Sequence, residues 1–428
     1  MGIGAAATAA VSPPLHAHLG SAQADYWLGD FTLDGARWRI GIGRSTDGRT
    51  WIDLPSLWRA RLQPSRATFA MNAVSIELPS SVGRLRGRIE SWGLVGSIMS
   101  PDGEHADLVL QSQPAIEVRR EELRLKGDAV DIAATFESPL DVQRRPAVIV
   151  LHGGGDSSRA DSPPYDFWGD EMVRNGFSAL LYDKRGNGAS SGSWRTVGFD
   201  ERARDVVAIA EYLAQRPDVD PNRIGLLAIS QGGWVAVRAA ELSRKIAFIA
   251  AISCPVVTPR EADTFASWKH AADALSPEEA DDRTSLYSAY LDYVASGRTD
   301  PAWQRLSALV SEARRKPWFK RLPFEPTRDP DPFEDWYPHI MNYDPRPALA
   351  GLKIPMLWAY GGADTQSDVG KNAAILATLR ERANRKLELA IFAGADHGVA
   401  SPLPHRPTLS ISPPGLFDTV ELWLKALA

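Results

Sequence analysis

The chain has a single cysteine, Cys254, in 428 residues. It can form no intrachain disulfide and no cysteine-rich zinc cage. No stretch approaches the roughly 18 apolar residues that span a bilayer, so no integral membrane association is expected. Neither sign of charge dominates. Lys plus Arg number 48 against 53 Asp plus Glu, a net charge of −5, and without a basic surplus no nucleic-acid partner is expected. H-E-x-x-H is absent, and so is G-x-G-x-x-G. No Gly-Lys-Ser/Thr follows a glycine run. A zincin site and a phosphate-cradling loop therefore lack their signatures.

What is present is the balance of an ordinary globular protein, 44% hydrophobic and 24% charged. The length allows two or three domains, or one large α/β domain with additions. Residues 1–24 are rich in Ala and Gly, and Ala22 and Ala24 fit an A-x-A cleavage site before Asp25. No Lys or Arg precedes the weak apolar run Ile3–Val11, whereas a secretory signal normally starts cationic. Two readings stay open: a signal, with a periplasmic or secreted protein, or a plain leader, with a cytoplasmic one.

Residues 25–113 show short alternating runs such as Arg37–Ile42, Val74–Leu78 and Leu85–Ile89. Turn signals separate them, among them Asp34-Gly35, Asp47-Gly48 and Asp102-Gly103. The spacing predicts a small antiparallel β barrel or sandwich. From residue 114 onward the rhythm changes. Continuous apolar runs at Ala147–Leu151, Ser178–Tyr182, Ile224–Ala228, Ala247–Ile252, Met356–Tyr360 and Leu387–Phe392 read as strands covered on both faces. Helical patterns lie between them; Ala203, Val206, Val207, Ala210 and Leu213 form one stripe. Such alternation predicts a doubly wound α/β domain over 114–428. An insertion at about 258–352 carries many aromatic residues and no strong strand run.

The sharpest local signal is Ala228-Ile229-Ser230-Gln231-Gly232-Gly233, between a strand and a helical pattern. That is the context of a nucleophile elbow, whose crowding demands small residues two before and two after the serine. Ala228 stands where the common form has glycine. A serine hydroxyl needs a base. Of the eight histidines, His16 and His18 lie in the leader, His105 in the β region, His270 and His339 in the insertion, and His405 in a Pro-rich stretch. His152 and His397 remain near strand ends, and His397 follows the last core strand. An acid must hold the imidazole's tautomer. Asp364 follows Met356–Tyr360 at a carboxyl strand end, with Asp368 and Asp396 as competitors. The glycines of His152-Gly153-Gly154-Gly155 let backbone N–H groups approach a substrate. One oxyanion donor is placed at Gly153 or Gly154 and one at Gln231, and His152 reads as a loop-shaping residue. Cys254 reads as a buried small hydrophobe.

From about residue 117 onward the chain resembles the α/β-hydrolase superfamily of serine hydrolases. The resemblance rests on Leu151–Gly155, Asp183-Lys184-Arg185-Gly186-Asn187-Gly188, the Ser230 turn, Gly361–Asp364 and Asp396-His397-Gly398, in that order. It implies an eight-stranded, mostly parallel sheet, with the insertion as a helical lid and Asp183 and Arg185 in a structural loop. It also implies a carboxylester hydrolase in which Ser230 is the nucleophile, His397 the base and Asp364 its orienter. No metal and no cofactor are expected. The implied partner is a small-molecule ester or amide with an apolar group. Amide or peptide hydrolysis and acyl transfer on the same residues are the alternatives, and a non-catalytic binding protein is the remote one.

Overall fold

The structure, a computed structural model, describes residues 23–114, 116, 118–141, 143–159, 163–272, 275–321, 325–328 and 335–427. The candidate leader falls almost wholly outside these residues.

The N-terminal part is one curled, nine-stranded antiparallel sheet. Its strands are β1 (Gln23–Leu33), β2 (Ala36–Ser45), β3 (Thr50–Leu54), β4 (Arg59–Leu62), β5 (Ala67–Ala70), β6 (Ala73–Glu77), β7 (Arg84–Glu90), β8 (Gly93–Met99) and β9 (His105–Ser112). Their order is β4-β3-β2-β1-β9-β8-β7-β6-β5. Period-two patterning builds it: along β9, Ala106, Leu108 and Leu110 are buried while His105, Asp107 and Val109 are exposed. With Trp38, Ile40, Ile52, Leu85 and Ile98 they form one core. At the β1–β2 turn, Asp34 and Gly35 both take positive φ, +53° and +69°, as a tight hairpin requires.

The C-terminal part is an eight-stranded sheet. Its strands are β10 (Val118–Lys126), β11 (Asp131–Pro139), β12 (Arg145–Leu151), β13 (Ser178–Tyr182), β14 (Val219–Ile229), β15 (Ile246–Ile252), β16 (Met356–Gly361) and β17 (Leu387–Phe392). The order is β10-β11-β13-β12-β14-β15-β16-β17. β11 runs antiparallel to β10 and β13, and the remaining pairs are parallel. The apolar runs of β12, β13, β14, β15 and β16 are continuous because these strands feed two cores, whereas β17, expected to be covered on both faces, lies at the sheet edge and leaves Ile391 exposed. Ala147, Ile149 and Leu151 face one core, with helices α2 (Phe199–Gln215), α3 (Gly232–Leu242) and α8 (Val369–Arg382). Val148 and Val150 face the other, with α1 (Pro163–Arg174) and α9 (Pro414–Leu427).

Between β15 and β16 lie α4 (Pro259–Ala272), α5 (Pro277–Ala295), α6 (Asp300–Ala313) and α7 (Arg346–Gly351). Tyr290, Tyr293, Leu306, Val310 and Trp318 form a separate small core there. Among the described residues, most of the aromatic side chains of the insertion pack into this core or against the core of the eight-stranded sheet.

The seam between the two sheets is polar and aromatic. Trp58, in the left-handed conformation at φ +55°, meets Phe167, Trp168 and Phe417 at ring distances of 5.9, 5.7 and 5.6 Å. Arg174 donates to Asp53 Oδ2 at 2.6 Å, Tyr26 donates to the same oxygen at 2.9 Å, and Arg61 Nε donates to Asp170 Oδ1 at 2.7 Å. The short ribbon β18 (Ser401–Pro402) and β19 (Ser410–Ile411) reaches back across the seam. Leu403 and Ile411 join the β-sheet core, and Arg406 donates to the Ser81 carbonyl at 2.6 Å and pairs with Asp34. Among the described residues no helix is long and apolar enough to cross a membrane.

Candidate active site

Ser230 sits between β14 and α3 with φ +51°. A non-glycine residue is uncommon there, and this sharp turn lifts the hydroxyl above the sheet. The Ser230 N–H donates to the Ile252 carbonyl at 2.9 Å, and its own carbonyl accepts from Gly233 N–H at 3.0 Å. A Cβ at Gly232 would lie 2.9 Å from the His152 oxygen, and one at Gly233 would lie 2.4 Å from Cys254 Cβ. The two glycines thus allow α3 to start against the neighbouring strands. Ala228 is fully buried at the place where the common pattern has glycine. Cys254 is fully buried as well, and burial pushes its thiol well above the usual range.

His397 lies in the loop after β17. Its Nε2 is 2.9 Å from Ser230 Oγ, and its Nδ1 is 2.8 Å from Asp364 Oδ2. The carboxylate can only accept, so Nδ1 carries the proton and Nε2 is left to accept from the hydroxyl. The Asp364 side chain is 0% exposed. Its Oδ1 accepts the N–H groups of Gln366 at 2.7 Å and Ser367 at 2.9 Å, so both oxygens are held. The competitors lie elsewhere. Asp396 turns onto the N–H groups of Gly398 and Ala400, and Asp368 caps α8 by accepting from Lys371 N–H.

The glycine loop follows β12 and lies over the serine turn. A Cβ at Gly153 would be 3.5 Å from Ser230 Cβ, and one at Gly154 would be 3.8 Å from Gln231 Nε2. By sequence Gly153 and Gly154 are equal candidates for the donor, but their surroundings differ. Gly153 N–H donates to the Tyr165 hydroxyl at 2.8 Å, so it is already engaged. The N–H groups of Gly154 and Gln231 have no hydrogen-bond partner among the described residues. Tyr165 was not legible from the sequence, because α1 brings it to the loop through a tertiary contact.

His152 is buried between the rings of Tyr165 and Tyr182, 4.7 and 4.6 Å between centroids. Burial and the nearby Lys184 push its pKa well below the usual imidazole range. It supports the glycine loop and lies outside the Ser230–His397–Asp364 chain. In the Asp183–Gly188 turn, Asp183 accepts from Arg159 and from Ala189 N–H, and Arg185 pairs with buried Asp205. Among the described residues no group of three or more His, Cys, Asp or Glu side chains could hold a metal ion.

Residues 142–304 match the family model described as Serine aminopeptidase, S33. That span includes Ser230 and the glycine loop and ends before Asp364 and His397. A thiohydrolase, aneE, of Aspergillus aculeatus is 32% identical over 114 residues, 26% of this chain and 34% of that protein. Acylamino-acid-releasing enzyme 2 of Oryza sativa is 22% identical over 290 residues, 64% of this chain and 30% of its own length. The chain spans about a third of the length of the curated relatives it matches. An esterase of Pyrococcus furiosus has a solved structure 19% identical to this chain, with a TM-score of 0.48, covering 72% of this chain and 91% of that one. The strand order and the matched family agree on the α/β-hydrolase fold.

Proposed function

We propose that the α/β-hydrolase domain of this chain is a serine hydrolase that cleaves carboxylic esters through an acyl-enzyme. The observation that carries the reading is the unbroken chain from Asp364 Oδ2 through His397 to Ser230 Oγ, 2.8 and 2.9 Å. Ser230 Oγ attacks the ester carbonyl while His397 Nε2 takes its proton. Asp364 holds the tautomer and stabilises the imidazolium. The oxyanion of the tetrahedral intermediate accepts from Gly154 N–H and Gln231 N–H. The C–O bond to the alcohol then breaks, and His397 returns its proton to the leaving oxygen. Water enters, loses a proton to His397, and attacks the acyl carbon. The bond from the acyl carbon to Ser230 Oγ then breaks, His397 returns the proton to Oγ, and the acid leaves. No metal or cofactor enters these steps.

The substrate is a small-molecule ester with an apolar group. Its apolar part is assigned to Phe265 and Trp268, half-buried on α4 with ring centroids 6.2 Å apart. They stand outside the insertion's own core, on the helix that follows β15, the strand paired with β14 and its serine turn. Amide hydrolysis remains a second reading, favoured by the matched Serine aminopeptidase, S33 family, and acyl transfer is another reading on the same residues. The constellation fixes the attack and leaves the choice of leaving group to the pocket.

Ser230→Ala is expected to abolish p-nitrophenyl ester turnover and leave circular dichroism and melting unchanged. Undiminished turnover would contradict the assignment. A panel of matched esters, aminoacyl amides and lactones separates the readings, and turnover of aminoacyl amides alone would establish a peptidase. Failure of a fluorophosphonate to label Ser230 would favour a non-catalytic binding protein.

A further inference from the structure

Behind the glycine loop lies a buried lysine that the reaction scheme leaves unused. Lys184 follows β13 and is 6% exposed. Its Nζ donates to the carbonyl oxygens of Gly153 at 2.7 Å and Gly155 at 2.6 Å. Among the described residues it has no carboxylate within ion-pair distance. The charged or titratable groups acting on it are His152, Asp156, Arg195 and Arg202, and its Nζ lies 5.4 Å from the centre of the Trp194 ring. Burying an ammonium without a counter-ion is costly, so a bland packing role does not account for its place.

The carbonyl of Gly153 and the N–H of Gly154 belong to one peptide unit. In a trans peptide the two point in opposite directions. A cation fixed on the carbonyl therefore directs the N–H away from itself, and it also draws electron density toward the oxygen, making the N–H a stronger donor. We propose that Lys184 is a positioning residue for the oxyanion site, fixing and polarising the Gly154 N–H through the Gly153 carbonyl. This rests on the serine-hydrolase reading above. A second buried cation stands behind the other donor: Arg202 Nη1 donates to Gln231 Oε1 at 2.8 Å. It grips a side chain, however, and not the peptide that carries the donor. Lys184 alone acts through the reacting peptide unit.

Burial lowers the Lys184 pKa to about 7, with Arg202 and Arg195 adding to the fall and Asp156 opposing it. The charge on the loop is thus full in acid and is lost as pH rises through that value. Fixed dipoles aimed at a developing charge act mainly in the transition state, so the effect belongs to kcat and not to KM.

The test compares wild type, Lys184→Met and Lys184→Arg on a p-nitrophenyl ester from about pH 5.5 to 9, where kcat/KM reports the free enzyme. Fluorophosphonate labelling of Ser230 is run on the same samples. Lys184→Met should lose about 10- to 100-fold in kcat, less than the roughly 10²–10³ of deleting a donor outright, with KM within about twofold. Wild-type kcat/KM should decline above about pH 7, and that decline should vanish in both variants. Lys184→Arg, whose charge is permanent, should recover part of kcat. Should Lys184→Arg fail to fold, the pH profiles of wild type and Lys184→Met decide by themselves. An unchanged kcat in Lys184→Met, or the same alkaline decline in wild type and Met variant, would overturn the inference. A wild-type protein that neither turns over esters nor takes the label would overturn the triad reading first and this role with it.

Discussion

The serine and the histidine of the candidate triad are held in place by different means. Ser230 is held locally. Its strained φ, its bonds to Ile252 and Gly233, and the close approach of Gly232 to the His152 carbonyl all lie within neighbouring strand ends of one sheet. His397 is held at a distance. Asp396 and Ala400 close its loop, and the chain then crosses the seam to bury Leu403 and Ile411 in the core of the other sheet. A local turn is written in a few adjacent residues, whereas a loop tied to another sheet depends on packing far from it in sequence.

The largest expected effect separates orientation from placement. Asp364→Asn should cut kcat/KM by about 10³–10⁴ with the fold intact, because an amide can leave the imidazole in the wrong tautomer. Steady-state kinetics beside a thermal melt would check it. Leu403→Ala comes next. It should cost about 2–5 kcal/mol of stability, and it should also lower kcat, since it loosens the segment that leads out of the His397 loop. Trp58→Ala is the matching control on the same seam. It should cost about 2–4 kcal/mol, less than a full core value because Trp58 is only half-buried, and leave kcat unchanged at a temperature where both proteins are folded. Equal losses of kcat in the two variants would erase the distinction between anchoring the histidine and merely joining the two sheets. The smallest effect is expected from Asp368→Ala. Loss of the α8 cap should cost about 1 kcal/mol with no change in turnover, in contrast to Asp364 only four residues earlier.

Lys184 gives a further handle through pH. Its pKa is lowered in the folded state, to about 7 from the ordinary 10.5. Between those values the unfolded chain holds a proton that the folded chain does not. Stability from this group therefore rises with pH across that window and is flat below it. In denaturant titrations at successive pH values, wild type should gain on Lys184→Met as pH rises above about 7.

Much of this was legible because the chemistry demands recognisable local sequence. The Ser230 turn needs small neighbours, and Ala228 and Gly232 supply them. Strands buried on both faces must be apolar throughout, so β12, β13 and β16 were readable. His397 and Asp364 followed from their places after strands. Other features were settled by tertiary contact. That the Gly153 N–H is engaged depends on the Tyr165 hydroxyl, brought in by α1. Tyr290, Tyr293 and Trp318 could equally have lined a pocket, and only the packing of α5 and α6 shows them in a core of their own. The Pro-rich stretch around His405 gave no hint that Leu403 and Ile411 complete the β-sheet core. Trp58 and Arg61 gave no hint of the seam, because their partners lie more than a hundred residues away in sequence.

The most direct test of the central claim is intact-mass and peptide mapping after a fluorophosphonate is added to wild type and to His397→Ala. One adduct is expected, on Ser230, formed rapidly in wild type and far more slowly without the imidazole. An adduct on another residue, or equal labelling rates in the two proteins, would contradict it.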